Sequence, residues 1–345
     1  METFKILNPG LLTTVQDLGR YGFQRYGVSA SGVMDSFSAK VANKLVNNNE
    51  NDAVLETTLK GVELEFLKDT IFAITGGDCQ STLNGKNIDL WKSYKATKGD
   101  ILKMGICKSG LRNYLAFSGG IDVPLIMNSR STNLKAKVGG YLGRKLMGGD
   151  VLKVFSNDNS STLEFNRNLI PSYQKTLEIK VILGQQSDEF TKEGIDTFFN
   201  EIYTISQESD RMGIRLSSDS GASIKHKVSA DIISDGITFG AIQVPGSGQP
   251  IIMMADRQTT GGYTKIGNVI SNDLSKLAQA TPGTKIKFIN YNLNDAINEI
   301  KNTENIINNP NSYIQELNSS ENFIKKFYKI KLNGKIFDLS LERIE

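Results

Sequence analysis

Nine consecutive residues, Ala255-Asp256-Arg257-Gln258-Thr259-Thr260-Gly261-Gly262-Tyr263, gather an acid, a guanidinium, an amide, two hydroxyls, a phenol and a glycine pair. A turn needs only glycine and one small polar residue, and burying such a set without partners is costly, so the cluster points to chemistry. Asp256, Arg257 and Gln258 are the candidate catalytic residues: the carboxylate can orient or deprotonate an attacking water or hold an amide nitrogen. Thr259, Thr260 and Tyr263 add hydrogen-bonding groups, and Gly261-Gly262 lets a ligand approach the backbone closely. The competing reading is that Asp256 caps the turn and pairs with Arg257.

Other residues are candidates for binding. Arg211 and Arg215 lie four apart around Gly213; they either pair with Glu208 and Asp210 at the surface or grip an anion through their planar forks. Gln243 opens a second glycine-rich loop, Gln243-Val244-Pro245-Gly246-Ser247-Gly248-Gln249-Pro250. Arg130 sits among hydroxyls in Asn128-Ser129-Arg130-Ser131-Thr132-Asn133, within a long irregular excursion of the functional kind. Asp35 is either a helix-end acid held by the dipole or a ligand contact. Asn43, among apolar helical positions, must find buried partners or face a site. In Gln16-Asp17-Leu18-Gly19-Arg20, the alternatives are an Asp17–Arg20 ion pair and a ligand role.

Several chemistries are excluded. His226 is the single histidine of the 345 residues, which rules out zinc sites built from several histidines, and its lysine-flanked setting reads as an exposed turn. There is no phosphate-binding G-x-x-x-x-G-K-[ST] loop, no complete dinucleotide fingerprint and no C-x-x-C pair. A net charge of +3 with mixed signs gives no nucleic-acid footprint. No targeting segment or membrane-length apolar run is evident, so the chain reads as cytoplasmic; Cys79 and Cys107 could pair, but in that compartment they are expected as reduced, small core residues. Without a self-contained catalytic set, an enzyme of this sequence shares its site with a partner.

The elements that must position these residues are mainly strands, with short helices. The run Ile251-Ile252-Met253-Met254 predicts a buried strand ending at the motif. Apolar segments at 53–59, 62–66, 71–74, 101–104, 114–117 and 151–155, separated by turns such as Asn84-Gly85, predict a barrel or sandwich. Helices are expected from Phe37, Val41 and Leu45, over 190–199 and over 270–280, with further strands at 177–183 and 284–289. The expected domains are an N-terminal β-rich domain at 1–167, a barrel domain carrying the motif at 175–290, and a connector with a C-terminal hairpin at 291–345, in which 291–320, rich in Asn and Glu, reads as helix-prone or loose. In that hairpin Asn333-Gly334 is the turn signal, and Tyr328, Ile330, Leu332, Phe337, Leu339 and Leu341 share a face that must pack on something.

Six motifs, Thr14-Val15-Gln16-Asp17-Leu18-Gly19-Arg20, Ser31-Gly32-Val33-Met34-Asp35, Ser118-Gly119-Gly120-Ile121, Ser129-Arg130-Ser131-Thr132, Asp210-Arg211-Met212-Gly213-Ile214-Arg215-Leu216 and Asp256 to Tyr263, fall in the order of a known family. Over about residues 4–290 the chain resembles the KipA family, also called allophanate hydrolase subunit 2, the biotin-dependent carboxyltransferase family or the 5-oxoprolinase C-subunit family. The resemblance implies a mainly β architecture with cyclophilin-like β-barrel domains and an obligate KipI-like partner, the B component of the enzyme. With a LamB/YcsF-like partner as the A component, such a pair hydrolyses 5-oxoproline to glutamate at the expense of ATP. In urea carboxylases similar domains transfer a carboxyl group from carboxybiotin to urea. The terminal hairpin resembles the opening strands of a biotin carrier domain, yet the sequence contains no Met-Lys-Met, so no covalently attached biotin is expected. The resemblance therefore favours the C component of 5-oxoprolinase, a hydrolase component inactive alone. The alternatives are the carboxyltransferase subunit of a split urea carboxylase and a non-enzymatic antagonist of a KipI-like kinase inhibitor.

Overall fold

The structure, a computed structural model, describes residues 2–156, 161–315, 325–332 and 335–342. Two β assemblies make up the body of the chain, which runs to Ile314. The first is an 11-stranded sheet built on two long antiparallel strands, Thr70–Leu83 and Ile101–Phe117. The segments expected at 101–104 and 114–117 are thus the two ends of one strand. Alternating inward residues stack Phe4 on Phe117 at 4.2 Å and set Phe66 tilted against Phe72 at 5.2 Å, forming the core of this half. The Asn84-Gly85 turn joins Thr70–Leu83 to Lys86–Ile88 with φ of 52° and 76°, the positive pair that a two-residue hairpin turn requires.

Helix α1 (Ser36–Leu45) covers this sheet. Asp35 caps it by accepting from Ser38 N, and Val41, Ala42 and Leu45 bury its inner face with Trp91 and Phe165. The second assembly is a closed barrel of seven strands in the order Thr176–Leu183, Lys265–Val269, Ala241–Gln243, Ile251–Met253, Gly213–Ser218, Ile202–Ile205 and Lys285–Asn290. Its first and last strands pair in parallel, Ile179 beside Phe288, and close the cylinder around Val181, Ile242, Ile252 and Ile266. Closure removes the exposed edges that an open sheet would present. Met34, from the segment before α1, inserts into the barrel's apolar cluster and ties the halves together.

Helices α2 (Lys192–Asn200) and α3 (Ser271–Gln279) pack on the barrel, and α4 (Leu293–Asn308) lies within the stretch expected as a connector. Beyond Ile314 the chain forms a separate unit in which Lys325–Leu332 pairs antiparallel with Lys335–Glu342. The expected Asn333-Gly334 turn and the packing of the hairpin face lie outside the described residues.

Candidate functional site

After the barrel strand Ile251–Met253 the chain turns and returns as Thr260–Tyr263, which pairs with Asp231–Gly236 in a two-stranded ribbon. The motif therefore spans a strand end, a turn and a ribbon edge. Arg257 is turned inward: Nε donates to Ile237 O at 3.2 Å, Nη1 to Met254 O at 3.3 Å, and the guanidinium lies over the Phe239 ring. Burial lowers its pKa. Gly261 belongs to a close approach, because a Cβ there would meet Ile237 Cδ1 at 2.6 Å and Gln243 Nε2 at 2.7 Å. Gln243 is buried, and its Nε2 donates to Tyr263 O at 3.3 Å.

A cavity of about 560 Å³ opens beside these residues, with Arg215, Gln243, Gln258, Tyr263, Glu208 and Asp210 in its lining. Arg215 is exposed on a barrel strand, and among the described residues no ion pair or hydrogen bond ties its guanidinium. Asp210 accepts from Met212 N and Gly213 N, fixing the turn before that strand. A guanidinium, three glutamine amides (Gln243, Gln249 and Gln258), two carboxylates and a phenol thus line a space the size of a small-molecule site. Thr259, Thr260, Gly261 and Gly262 build the turn and ribbon beside it and are not in its lining.

Asp256 and Arg211 face a buried seam between the two halves. Arg211 donates to Asp256 through Nε at 2.8 Å and Nη2 at 3.1 Å, to Glu56 Oε1 through Nη1, and to Gly32 O at 2.6 Å. Burial works against the Arg211 cation, but Asp256 and Glu56 together push its pKa well up. Glu56 Oε2 accepts from Met34 N at 2.8 Å and from the Tyr114 hydroxyl at 2.9 Å, and that hydroxyl accepts from Asp35 N at 2.8 Å. The Asp35 carboxylate accepts from Ser38 and from Gln279 Nε2 at 2.8 Å, while burial raises its pKa against those bonds. Gln279 Oε1 in turn accepts from Leu111 N and Arg112 N, each at 2.9 Å. A continuous polar network therefore joins the sheet, α1, α3 and the motif.

The structure places the remaining candidates apart from the cavity. Asn43 finds buried partners, donating to Glu50 O and Asp52 O and accepting from Asn48, so it pins the loop after α1. Arg130 Nε donates to Val123 O, and its guanidinium covers the Phe155 ring. The Asp17–Arg20 pair does not form. Asp17 instead accepts from Ser129 Oγ at 2.7 Å, Gly19 N and Arg130 N, while Arg20 donates to Ile126 O and Ser131 O, so both residues brace the irregular excursion. His226 is half-buried against Phe190 with Nε2 3.1 Å from Val244 O, and burial lowers its pKa. Arg211 pairs inside the protein rather than with Glu208 or Asp210, and the cavity holds Arg215 without it.

Glu56, Arg112, Tyr114 and Gln279 escaped sequence reasoning. The available signal was Glu56 itself, an acid inside the apolar run Ala53 to Leu59 where a strand buries most of its residues. Among the described residues no cluster of His, Cys, Asp and Glu is placed to hold a metal ion, and no helix is long and apolar enough to cross a membrane.

Comparison with known proteins matches residues 26–290 to a family described as carboxyltransferase domain, subdomain A and B. The chain is 38% identical to the 5-oxoprolinase C subunit of Haemophilus influenzae over 84% of its length and 92% of the relative's. It is 37% identical to the 5-oxoprolinase C subunit of Escherichia coli, over 85% and 93% respectively. Among solved structures, the Kluyveromyces lactis urea carboxylase superposes with a TM-score of 0.84 at 31% identity, covering 99% of this chain and 32% of that one.

Proposed function

Because the chain belongs to this carboxyltransferase-domain family, we propose that it is the C component of a multi-component, ATP-dependent 5-oxoprolinase. In this reading it hydrolyses 5-oxo-L-proline to L-glutamate with a KipI-like B component and a LamB/YcsF-like A component, and is inactive alone. The observation that carries the reading is length: the chain spans 92% and 93% of two relatives bearing that component's name, against 32% of the urea carboxylase. The cavity chemistry supports it. Arg215 offers a guanidinium to the substrate carboxylate, and the Gln243 and Gln258 amides can address the lactam nitrogen and carbonyl. Hydrolysis adds water across the lactam C–N bond, so the ring nitrogen leaves as the amine of glutamate.

Asp256 contributes a carboxylate that accepts from Arg211 Nε at 2.8 Å and, in this reading, holds the water or the leaving nitrogen when the complex is assembled. The test is glutamate release from 5-oxoproline by the three-component mixture with and without ATP. The expected result is ATP-dependent release that disappears when this chain is omitted. A second reading, the carboxyltransferase subunit of a split urea carboxylase, is favoured by the superposition on that enzyme. Carboxylation of urea by this chain supplied with a carboxybiotin carrier, together with no release of glutamate, would select it.

A further inference from the structure

The chain has two cysteines, and they are register partners: Cys79 on Thr70–Leu83 lies directly across from Cys107 on Ile101–Phe117. Residues opposed in an antiparallel ladder have Cα atoms about 4.5–5.5 Å apart. That falls inside the window, roughly 4.4–6.8 Å, that a disulfide spans without backbone movement. The ladder is irregular on both sides of Cys79, as at a β-bulge, which gives the facing side chains room to turn towards one another. Both are free thiols in this structure.

The two sulfurs differ in setting. Cys79 is buried in the sheet but lines a cavity of about 570 Å³ together with Asp78, Ser81, Trp91 and Tyr173. Its Sγ lies 3.4 Å from Ser81 Oγ. Cys107 is partly exposed and donates to Asn113 Oδ1 at 3.0 Å. Hydrogen bonding with Cys107 draws the Cys79 thiol down although burial opposes it, whereas Cys79 and burial push Cys107 up. Cys79, and not Cys107, is among the residues that line this cavity, so it is the cysteine an entering small disulfide meets first.

We propose that Cys79 and Cys107 form a reversible thiol–disulfide couple, oxidised by a low-molecular-weight disulfide of the glutathione class that enters through the cavity beside Cys79. The Cys79 thiolate attacks one sulfur of the small disulfide, forming a mixed disulfide and releasing one small thiol. Cys107 gives up its proton and attacks Cys79 Sγ, closing the protein disulfide and releasing the second small thiol. The protein loses two hydrogens and one small disulfide becomes two small thiols, so electrons and atoms balance. Oxidation ties the strand of Cys79 to the strand of Cys107, on which Leu111 and Arg112 make the backbone contacts to Gln279.

The test incubates the folded, full-length chain with glutathione disulfide, quenches with acid and measures intact mass and free thiols. The expected product has no free thiol, no glutathione adduct and two hydrogens fewer, and dithiothreitol restores it. Cys107→Ser should trap a stable glutathione adduct on Cys79, whereas Cys79→Ser should react far more slowly. Retention of both thiols in the wild-type chain under glutathione disulfide, or cross-linked dimers in place of the intrachain product, would overturn the couple. Equal adduct formation in the two variants would overturn the assignment of Cys79 as the attacking sulfur.

Discussion

Arg215 and Arg211 are separated by one turn of sequence and by their whole environment. Arg215→Lys keeps the charge in the open cavity but loses the planar fork, so kcat/KM for 5-oxoproline in the assembled complex should fall at least about 10-fold, equivalent to ~1.4 kcal/mol, with the thermal midpoint unchanged. An unaltered rate would remove Arg215 from substrate binding. Asp256→Asn is nearly isosteric. If its carboxylate handles the water, turnover should drop by about 100-fold or more while the complex still assembles; if it serves only Arg211, the variant should lose stability and keep its rate. The motif itself was legible because dense polar chemistry after an apolar strand is a local signal. Its partners were not: Glu56 meets Arg211 across 155 positions of sequence, and Gln279 meets Arg112 across 167. Spacing along one chain names the side chains on a strand but not the strand from the other half that will face them.

Between elements, the clearest fastening is electrostatic. Lys40 on α1 reaches Glu304 on α4 at 2.7 Å and Glu50 at 3.1 Å, and Lys44 reaches Glu50 at 3.3 Å. Burial opposes both charges, yet Lys40 holds Glu50 below its usual 4.5, and the two glutamates hold Lys40 above its usual 10.5. The Glu50 contribution is therefore complete above pH 4.5 and is lost as pH falls through the lower folded value. The Lys40 contribution is complete below pH 10.5 and is lost as pH rises through the higher folded value. Lys40→Met should cost about 1 kcal/mol near neutrality, a partly exposed cluster being weakened by solvent, and should flatten the fall in stability below pH 4.5; urea melts at pH 7 and pH 4 measure both. Helix α1 was legible from the spacing of Phe37, Val41 and Leu45 and from its Asp35 cap. Helix α4 was legible only as one of two alternatives, a helix-prone or a loose connector, because most of its residues stay exposed and only Ala296 and Ile307 are buried, leaving a weak apolar stripe in an Asn-rich stretch.

For the whole molecule, the proposed assembly predicts that this chain and a KipI-like partner, co-expressed, elute as one peak in size-exclusion chromatography; independent migration at micromolar concentration would remove the partnership. Val228 and Ile233, 91% and 95% exposed around the ribbon that carries the motif, supply apolar surface for such a contact. The parallel pairing that closes the barrel bears on how this assembly can move. Because Thr176–Leu183 and Lys285–Asn290 run in the same direction, the chain comes in at one rim and leaves at the opposite rim, about 20 Å away at roughly 3.3 Å per residue. Helix α4, 16 residues and so about 24 Å long, follows directly from that rim and reaches α1, where Ile307 is buried and Lys40 grips Glu304. A cylinder moored at both rims has no free end about which to swing. Ligand traffic into the motif cavity is then left to the ribbon and the loops at its mouth, and prising the two halves apart would break both the α4 contact with α1 and the buried Arg211 network.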